Sequence, residues 1–139
     1  MLRIQSINQL YNQSHILWDL DLELREGTCG CLLGRNGVGK TTLLKCITGL
    51  LPIRDGHIQF NGQDISRMST ENRARAGIGY VPQGREIFPL LTVEENLKIS
   101  LGARADRARQ IPEHIYQLFP VLKEMKHRRG CDLCWIPNY

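Results

Sequence analysis

Apolar and polar residues alternate at every step in Trp18-Asp19-Leu20-Asp21-Leu22-Glu23-Leu24-Arg25. Alternation with period two turns one face of a strand to a core and the other to water, so this stretch predicts an antiparallel strand. Residues 2–10 alternate more weakly, with Leu2 and Ile4 on one side, and read as an earlier strand; Tyr11-Asn12-Gln13-Ser14 is the turn between the two. Arg25-Glu26-Gly27 then leads into Thr28-Cys29-Gly30-Cys31-Leu32-Leu33. That short, nearly continuous apolar run predicts a parallel strand buried on both faces. Residues 40–51 predict a helix with Leu43, Leu44, Ile47, Leu50 and Leu51 on one face.

Further along, Asn61-Gly62 between strand-like flanks predicts a hairpin, because both central residues of a type I′ turn need positive φ. Ser69 is placed to cap a short helix ending at Ala76, with Arg73 and Arg75 on a solvated face. Gly77-Ile78-Gly79-Tyr80-Val81 predicts another short strand, ended by Pro82. Thr92-Val93-Glu94-Glu95 fits a capping box that opens a helix to about Leu101. Pro112 suits a helix start, with Ile111, Ile115, Leu118 and Phe119 on one side, and Pro120 stops that helix and can begin another. A half-exposed antiparallel layer thus meets a parallel core with helices, an α/β arrangement.

The chemistry sits between the apolar run and the first helix. Gly34-Arg35-Asn36-Gly37-Val38-Gly39-Lys40-Thr41-Thr42 has a glycine, four residues, then glycine, lysine and a hydroxyl residue. Glycines let successive backbone N–H groups turn inward around a polyphosphate. Lys40 can reach the β and γ oxygens as a point charge, and the Thr41 hydroxyl is the expected ligand to Mg²⁺, an ion that takes few protein oxygens. The helix N-terminus adds its partial positive charge. A glycine-rich turn that binds nothing would not need strand, loop, lysine, hydroxyl and helix in this order. The expected ligand is a nucleotide with Mg²⁺, held by Gly34, Asn36, Gly37, Val38, Gly39, Lys40 and Thr41, with Thr42 less constrained; the resemblance below implies ATP.

Composition narrows little beyond this. The 139 residues are 42% hydrophobic and 23% charged, which is ordinary for a single globular domain. A net charge of +4 suits an anionic partner without choosing among nucleotide, acidic lipid and nucleic acid. No basic and aromatic stripe supports nucleic acid. No apolar stretch approaches the ~20 residues that span a bilayer, and Met1-Leu2-Arg3-Ile4-Gln5 lacks the apolar core of a signal peptide, so a cytoplasmic protein is expected. Five cysteines argue against a disulfide framework. Cys29 and Cys31 share a face of the expected buried strand and read as packing. Cys131 and Cys134 have C-x-x-C spacing but no second pair or matching histidine, which argues against a metal or redox site. His15, His57, His114 and His127 are scattered and read as surface or packing residues.

Together these stretches resemble the ATP-binding subunits of ABC transporters, a P-loop NTPase fold. Tyr11 stands where that family carries the aromatic that stacks on adenine, residues 34–41 are its Walker A loop, and Gln83 in Tyr80-Val81-Pro82-Gln83-Gly84-Arg85 stands at its Q-loop. The resemblance implies catalytic roles for Lys40 and Gln83, and Mg²⁺ ligation by Thr41 and Gln83. It also implies a head-to-tail dimer with a second ATPase subunit, attached to membrane-spanning permease subunits on the inner face of the membrane. His15-Ile16-Leu17-Trp18 and Gln83-Gly84-Arg85-Glu86-Ile87-Phe88-Pro89 look like the second ATPase subunit of urea importers, with branched-chain amino acid importers as near relatives.

The resemblance covers residues 1–133, of which 1–91 correspond to the catalytic-core portion and 92–133 to the start of the helical subdomain. In the family, a segment like Arg129-Gly130-Cys131-Asp132-Leu133 leads into a Leu-Ser-Gly-Gly-Gln signature. Here it leads into Cys134-Trp135-Ile136-Pro137-Asn138-Tyr139, read as an off-family tail. No residue matches the signature, the Walker B carboxylates or the switch histidine. Two expectations follow: a portion of a transport ATPase, or a nucleotide-binding remnant without hydrolysis.

Overall fold

The computed structural model describes residues 1–11, 13–84, 86–102 and 110–135. Asn12 of the expected turn, Arg85 after Pro82, and residues 136–139 of the divergent tail lie outside the described residues. The chain divides into two units, Met1–Ile78 and Gly79–Tyr139.

The first unit is built on an antiparallel sheet in the order β2-β1-β3-β4, from β1 (Leu2–Tyr11), β2 (Ser14–Leu24), β3 (Asp55–Phe60) and β4 (Gln63–Asp64). The β1–β2 hairpin closes at the pair Tyr11 and Ser14, where the sequence expects its turn. Asn61 and Gly62 join β3 to β4 with φ of 49° and 80°, the two positive values that the Asn-Gly pair predicts.

Pairing between β1 and β2 is interrupted by bulges, and these decide which side chains reach the core. Ile7 pairs with Leu20 but Gln9 pairs with Leu17, so β2 carries an extra residue there, next to Asp19 at φ 39°. The alternation therefore slips. Leu17 turns inward and is 3% exposed, whereas Trp18, expected on the core face with Leu20, Leu22 and Leu24, is 69% exposed and stacks on His15 with ring centroids 3.6 Å apart.

Helix α1 (Lys40–Thr48) lays Leu43 and Cys46 on Ile4, Ile7, Leu17, Ile58 and Ile65, which together make the core. It is shorter than the pattern predicts, because Gly49 takes a left-handed cap at φ 78°. Leu44 and Leu50, expected on the buried face, are exposed.

Helix α2 (Thr70–Arg75) is capped by Ser69 as expected, but its Arg73 is not solvated. Arg73 is 3% exposed, and its guanidinium donates to Met68 O, Cys46 O, Ile47 O and Ser66 O at 2.6–2.9 Å. Cys46 O and Ile47 O are carbonyls at the end of α1, where the negative end of the helix dipole is matched to a cation; Cys46 O also accepts from the Gly49 N–H at 3.2 Å.

Residues 28–33 form no strand and are exposed along their whole length, Cys29 and Cys31 included, with Leu33 at 88%. Residues 77–81 form none either, and Val81 is 92% exposed. A parallel strand is held by ladders to neighbours on its flanks, and among the described residues no segment pairs with either stretch. The expected parallel core is thus not formed within the described residues, while the antiparallel layer is.

The second unit holds α3 (Val93–Leu101), α4 (Glu113–Leu118), α5 (Pro120–Glu124) and a 3₁₀ turn (Gly130–Trp135). Thr92 and Glu95 form the reciprocal capping box, the Thr92 N–H donating to Glu95 Oε2 at 2.8 Å. Asn96 Nδ2 donates to the carbonyls of Phe88, Leu91 and Thr92, tying the loop before α3 to the helix. Pro112 and Pro120 stand at the starts of α4 and α5 as expected. Leu118 and Phe119, expected to share an apolar side with Ile111 and Ile115, are exposed.

Candidate functional site

The glycine loop closes directly onto the head of α1. Gly34, Gly37 and Gly39 have φ of 153°, 86° and 95°, values closed to most residues with a side chain. Gly39 caps the helix and is buried against β2: a Cβ there would lie 2.9 Å from Leu17 Cδ2 and 3.2 Å from Ile16 Cγ2. The bulge that turns Leu17 inward therefore also sets the height of the loop on the sheet. Neither Leu17 nor Ile16 carries a functional signal in the sequence, since their part depends on a bulge that alternation does not reveal.

Lys40 bends back over the loop, its Nζ donating to Gly34 O and Arg35 O, each at 2.7 Å. The ammonium is thus held at the loop by backbone alone. Thr41 is exposed in the first turn of α1 and Thr42 half-buried, while Asn36 and Val38 are exposed on the loop. The first N–H groups of α1 have no helical carbonyl to meet. Combined with the helix dipole and Lys40, they make a cup that can receive an anion.

Tyr11 ends β1 and is 60% exposed. It pairs with Ser14 at the end of the β1–β2 hairpin, beyond a register shift between Gln9 and Leu10. Gln83 belongs to the second unit, exposed in an irregular segment after Pro82. Among the described residues no group of three or more His, Cys, Asp or Glu side chains is placed to hold a metal. No described helix is long and apolar enough to cross a membrane.

Comparison with known proteins agrees with this geometry. The family model described as ABC transporter matches residues 17–130. The chain is 42% identical over 134 residues to the probable branched-chain amino acid transport ATP-binding protein LivF of Archaeoglobus fulgidus, covering 96% of this chain and 57% of that protein. It is 32% identical over 131 residues to the high-affinity branched-chain amino acid transport ATP-binding protein BraG of Pseudomonas aeruginosa, covering 94% and 56%. The chain thus spans little more than half the length of these relatives. Among solved structures, an ATP-binding cassette in a dimeric post-hydrolysis state bound to ADP and Pi superposes with a TM-score of 0.73 at 21% identity, over 93% of this chain and 61% of that one. The ATP-binding subunit of an ABC transporter superposes at 0.69 with 29% identity, over 89% and 50%. With its family model matched over most of its length, a glycine loop on the head of α1 and a P-loop NTPase fold, the chain belongs to the ABC transporter family, as an ATP-binding domain.

Proposed function

We propose that the chain is the nucleotide-binding portion of an importer ATPase subunit and that it takes ATP with Mg²⁺ on the loop of residues 34–42. The observation that carries this is the loop itself: three glycines at positive φ, Lys40 folded back onto the loop carbonyls, and a helix head whose Thr41 is exposed. Bound ATP would supply the phosphoryl group whose transfer to water drives transport in the family, a reaction promoted by positioning and charge stabilisation. In this chain Gly34 and residues 36–40 cradle the phosphates, Lys40 neutralises the β and γ oxygens, and Thr42 flanks them. Thr41 and Gln83 hold the Mg²⁺, and Tyr11 stacks on the adenine. Lys40 and Gln83 are the residues here that belong to catalysis. Partners are membrane-spanning permease subunits and a second ATPase subunit, which puts the protein at the inner face of the cell membrane.

For the solute, the names of two relatives favour branched-chain amino acids. Gln83 favours urea, since the branched-chain importers often carry glutamate there. No loop residue reads the solute, so growth on each as sole nitrogen source after gene disruption decides between them.

Calorimetric titration of the chain with Mg-ATP tests the site. Lys40→Ala is expected to abolish the heat with the circular dichroism unchanged, and Tyr11→Ala to weaken binding by about 1–3 kcal/mol, the scale of base stacking on an aromatic ring. A Lys40→Ala protein that binds as the parent does would overturn the reading. Steady-state phosphate release that disappears in Lys40→Ala would assign hydrolysis to the chain; binding without release would make it a non-catalytic nucleotide module.

A further inference from the structure

The β1–β2 hairpin carries two opposed irregularities, and one side chain ties them together. From the pair Ile4–Leu22 to the pair Ile7–Leu20, β1 advances three residues against two of β2; from there to Gln9–Leu17 the excess passes to β2. Ser6 at φ 45° lies in the first bulge and Asp19 at φ 39° in the second, both in the left-handed region. Asn8 stands between them and bonds to both. Its Nδ2 donates to Asp19 Oδ1 at 2.8 Å and to Ser6 O at 3.2 Å, while its Oδ1 accepts from the Asp19 N–H at 3.1 Å and from His15 Nε2 at 2.9 Å. The donor and acceptor capacity of the amide is thus filled within the hairpin. The Asn8 carbonyl also accepts from the Arg54 N–H at 2.8 Å, which holds β1 to the approach of β3.

Register decides what touches the glycine loop. In an unbroken strand Leu17 would face away from Leu20, Leu22 and Leu24, and Trp18 would take the core face. The bulge at Asp19 reverses this, and Leu17 reaches Gly39, where a Cβ would lie 2.9 Å from its Cδ2. Gly39 O in turn accepts from the Leu43 N–H at 2.8 Å, joining the loop to the first turn of α1. We propose that Asn8 is a positioning residue for the nucleotide site: by locking both bulges it fixes the face on which Leu17 lies, and Leu17 seats Gly39 and the loop. Asn8 acts through Leu17 and contributes no group to the ligand. The effect on binding rests on the nucleotide reading above; the effect on the seat of Gly39 does not.

Three variants of the full chain test this: Asn8→Ala, Asn8→Asp, and the swap of Asn8→Asp with Asp19→Asn. Alanine removes all four side-chain bonds, and aspartate alone sets two carboxylates against each other. In the swap the amide at position 19 donates to a carboxylate at position 8, which still accepts from the backbone N–H of position 19 and from His15. Asparagine tolerates the left-handed φ at position 19, and only the bond to Ser6 O, the longest of the four, is lost. Amide exchange of the nucleotide-free chain and calorimetric titration with Mg-ATP are read together, with each variant folded by circular dichroism. Both single variants should speed exchange of the Leu43 amide by about tenfold, the scale of a lost hydrogen bond, and weaken Mg-ATP binding by a similar factor. The Ile58 amide, bonded to Ser66 Oγ away from the bulges, should change less, and the swap should recover most of both losses. Equal acceleration at Leu43 and Ile58 would show a loss of stability without a loss of position and overturn the proposal. So would Mg-ATP affinity in Asn8→Ala equal to the parent's, or a swap no better than Asn8→Asp alone. A parent that binds no Mg-ATP while Leu43 still responds selectively would fail the nucleotide reading and support the seating of the loop by Asn8.

Discussion

Arg73 shows how far a single side chain can depart from its local reading. Flanked by polar residues on a short helix, it has the pattern of a solvated cation, yet its guanidinium is the shared donor for carbonyls at the end of α1 and along the segment that follows β4. Burial pulls its pKa below the ordinary range, with the nearby Cys46 and Asp64 opposing that shift. Arg73→Met would keep the volume and remove the guanidinium donor from the carbonyls of Met68, Ile47, Ser66 and Cys46, of which Cys46 O keeps the Gly49 N–H. Hydrogen bonds from a charged group contribute about 1.5–3 kcal/mol each and are not additive, so a loss on the order of 3 kcal/mol is expected in urea unfolding. Arg73→Lys keeps the charge but not the planar fork, and should fall between. A Met variant as stable as the parent would mean that the carbonyls find water instead. The glycine loop, by contrast, is legible at this scale because its requirements are local: glycines where φ is positive, a lysine at the first turn of the helix. Arg73 is not, because two of its four acceptors lie 26 and 27 residues away, at the end of α1.

The same division runs through the elements. The Asn61-Gly62 turn, the Ser69 cap and the Thr92 capping box each draw on chemistry within four residues, and each forms as the sequence predicts. Residues 28–33 and 77–81 have the composition of buried strands but need flanking partners, which composition alone cannot supply. Trp18 is misread for a third reason: alternation is read with a fixed phase, and a bulge at Asp19 resets it. The capping box also gives α3 a pH dependence. Hydrogen bonds from the Thr92 backbone and hydroxyl hold the Glu95 carboxyl below its ordinary 4.5, and the Lys98 partner does the same for Glu94. A carboxylate with a depressed folded pKa lends stability that is complete above 4.5 and is lost as pH falls through the folded value. Amide exchange in the first turn of α3 should therefore accelerate as pH drops below that point, after correction for intrinsic rates. Thr92→Ala should cost α3 about 1 kcal/mol at neutral pH and flatten this dependence, because the donors that shift Glu95 are gone or weakened. An unchanged pH profile in the alanine variant would locate the effect elsewhere.

For the molecule as a whole, the surface is as informative as the core. The first unit closes a core of seven buried residues beneath its sheet and α1, yet leaves Leu32, Leu33, Leu44 and Leu50 in water. Leu32 and Leu33 lie on a stretch with strand composition and no ladder, which is the arrangement that recruits another chain. Self-association through this segment is the expected behaviour, visible as a concentration-dependent increase in sedimentation coefficient. Leu33→Glu separates that behaviour from folding. At 88% exposure Leu33 makes almost no core contact, so the substitution should change unfolding free energy by no more than about 0.5 kcal/mol while holding the sedimentation coefficient constant with concentration. A charge placed on an unpaired strand opposes edge-to-edge pairing directly. If Leu33→Glu instead unfolded the chain, residues 28–33 would be packed inside it in solution, and the exposure of that segment would have to be given up.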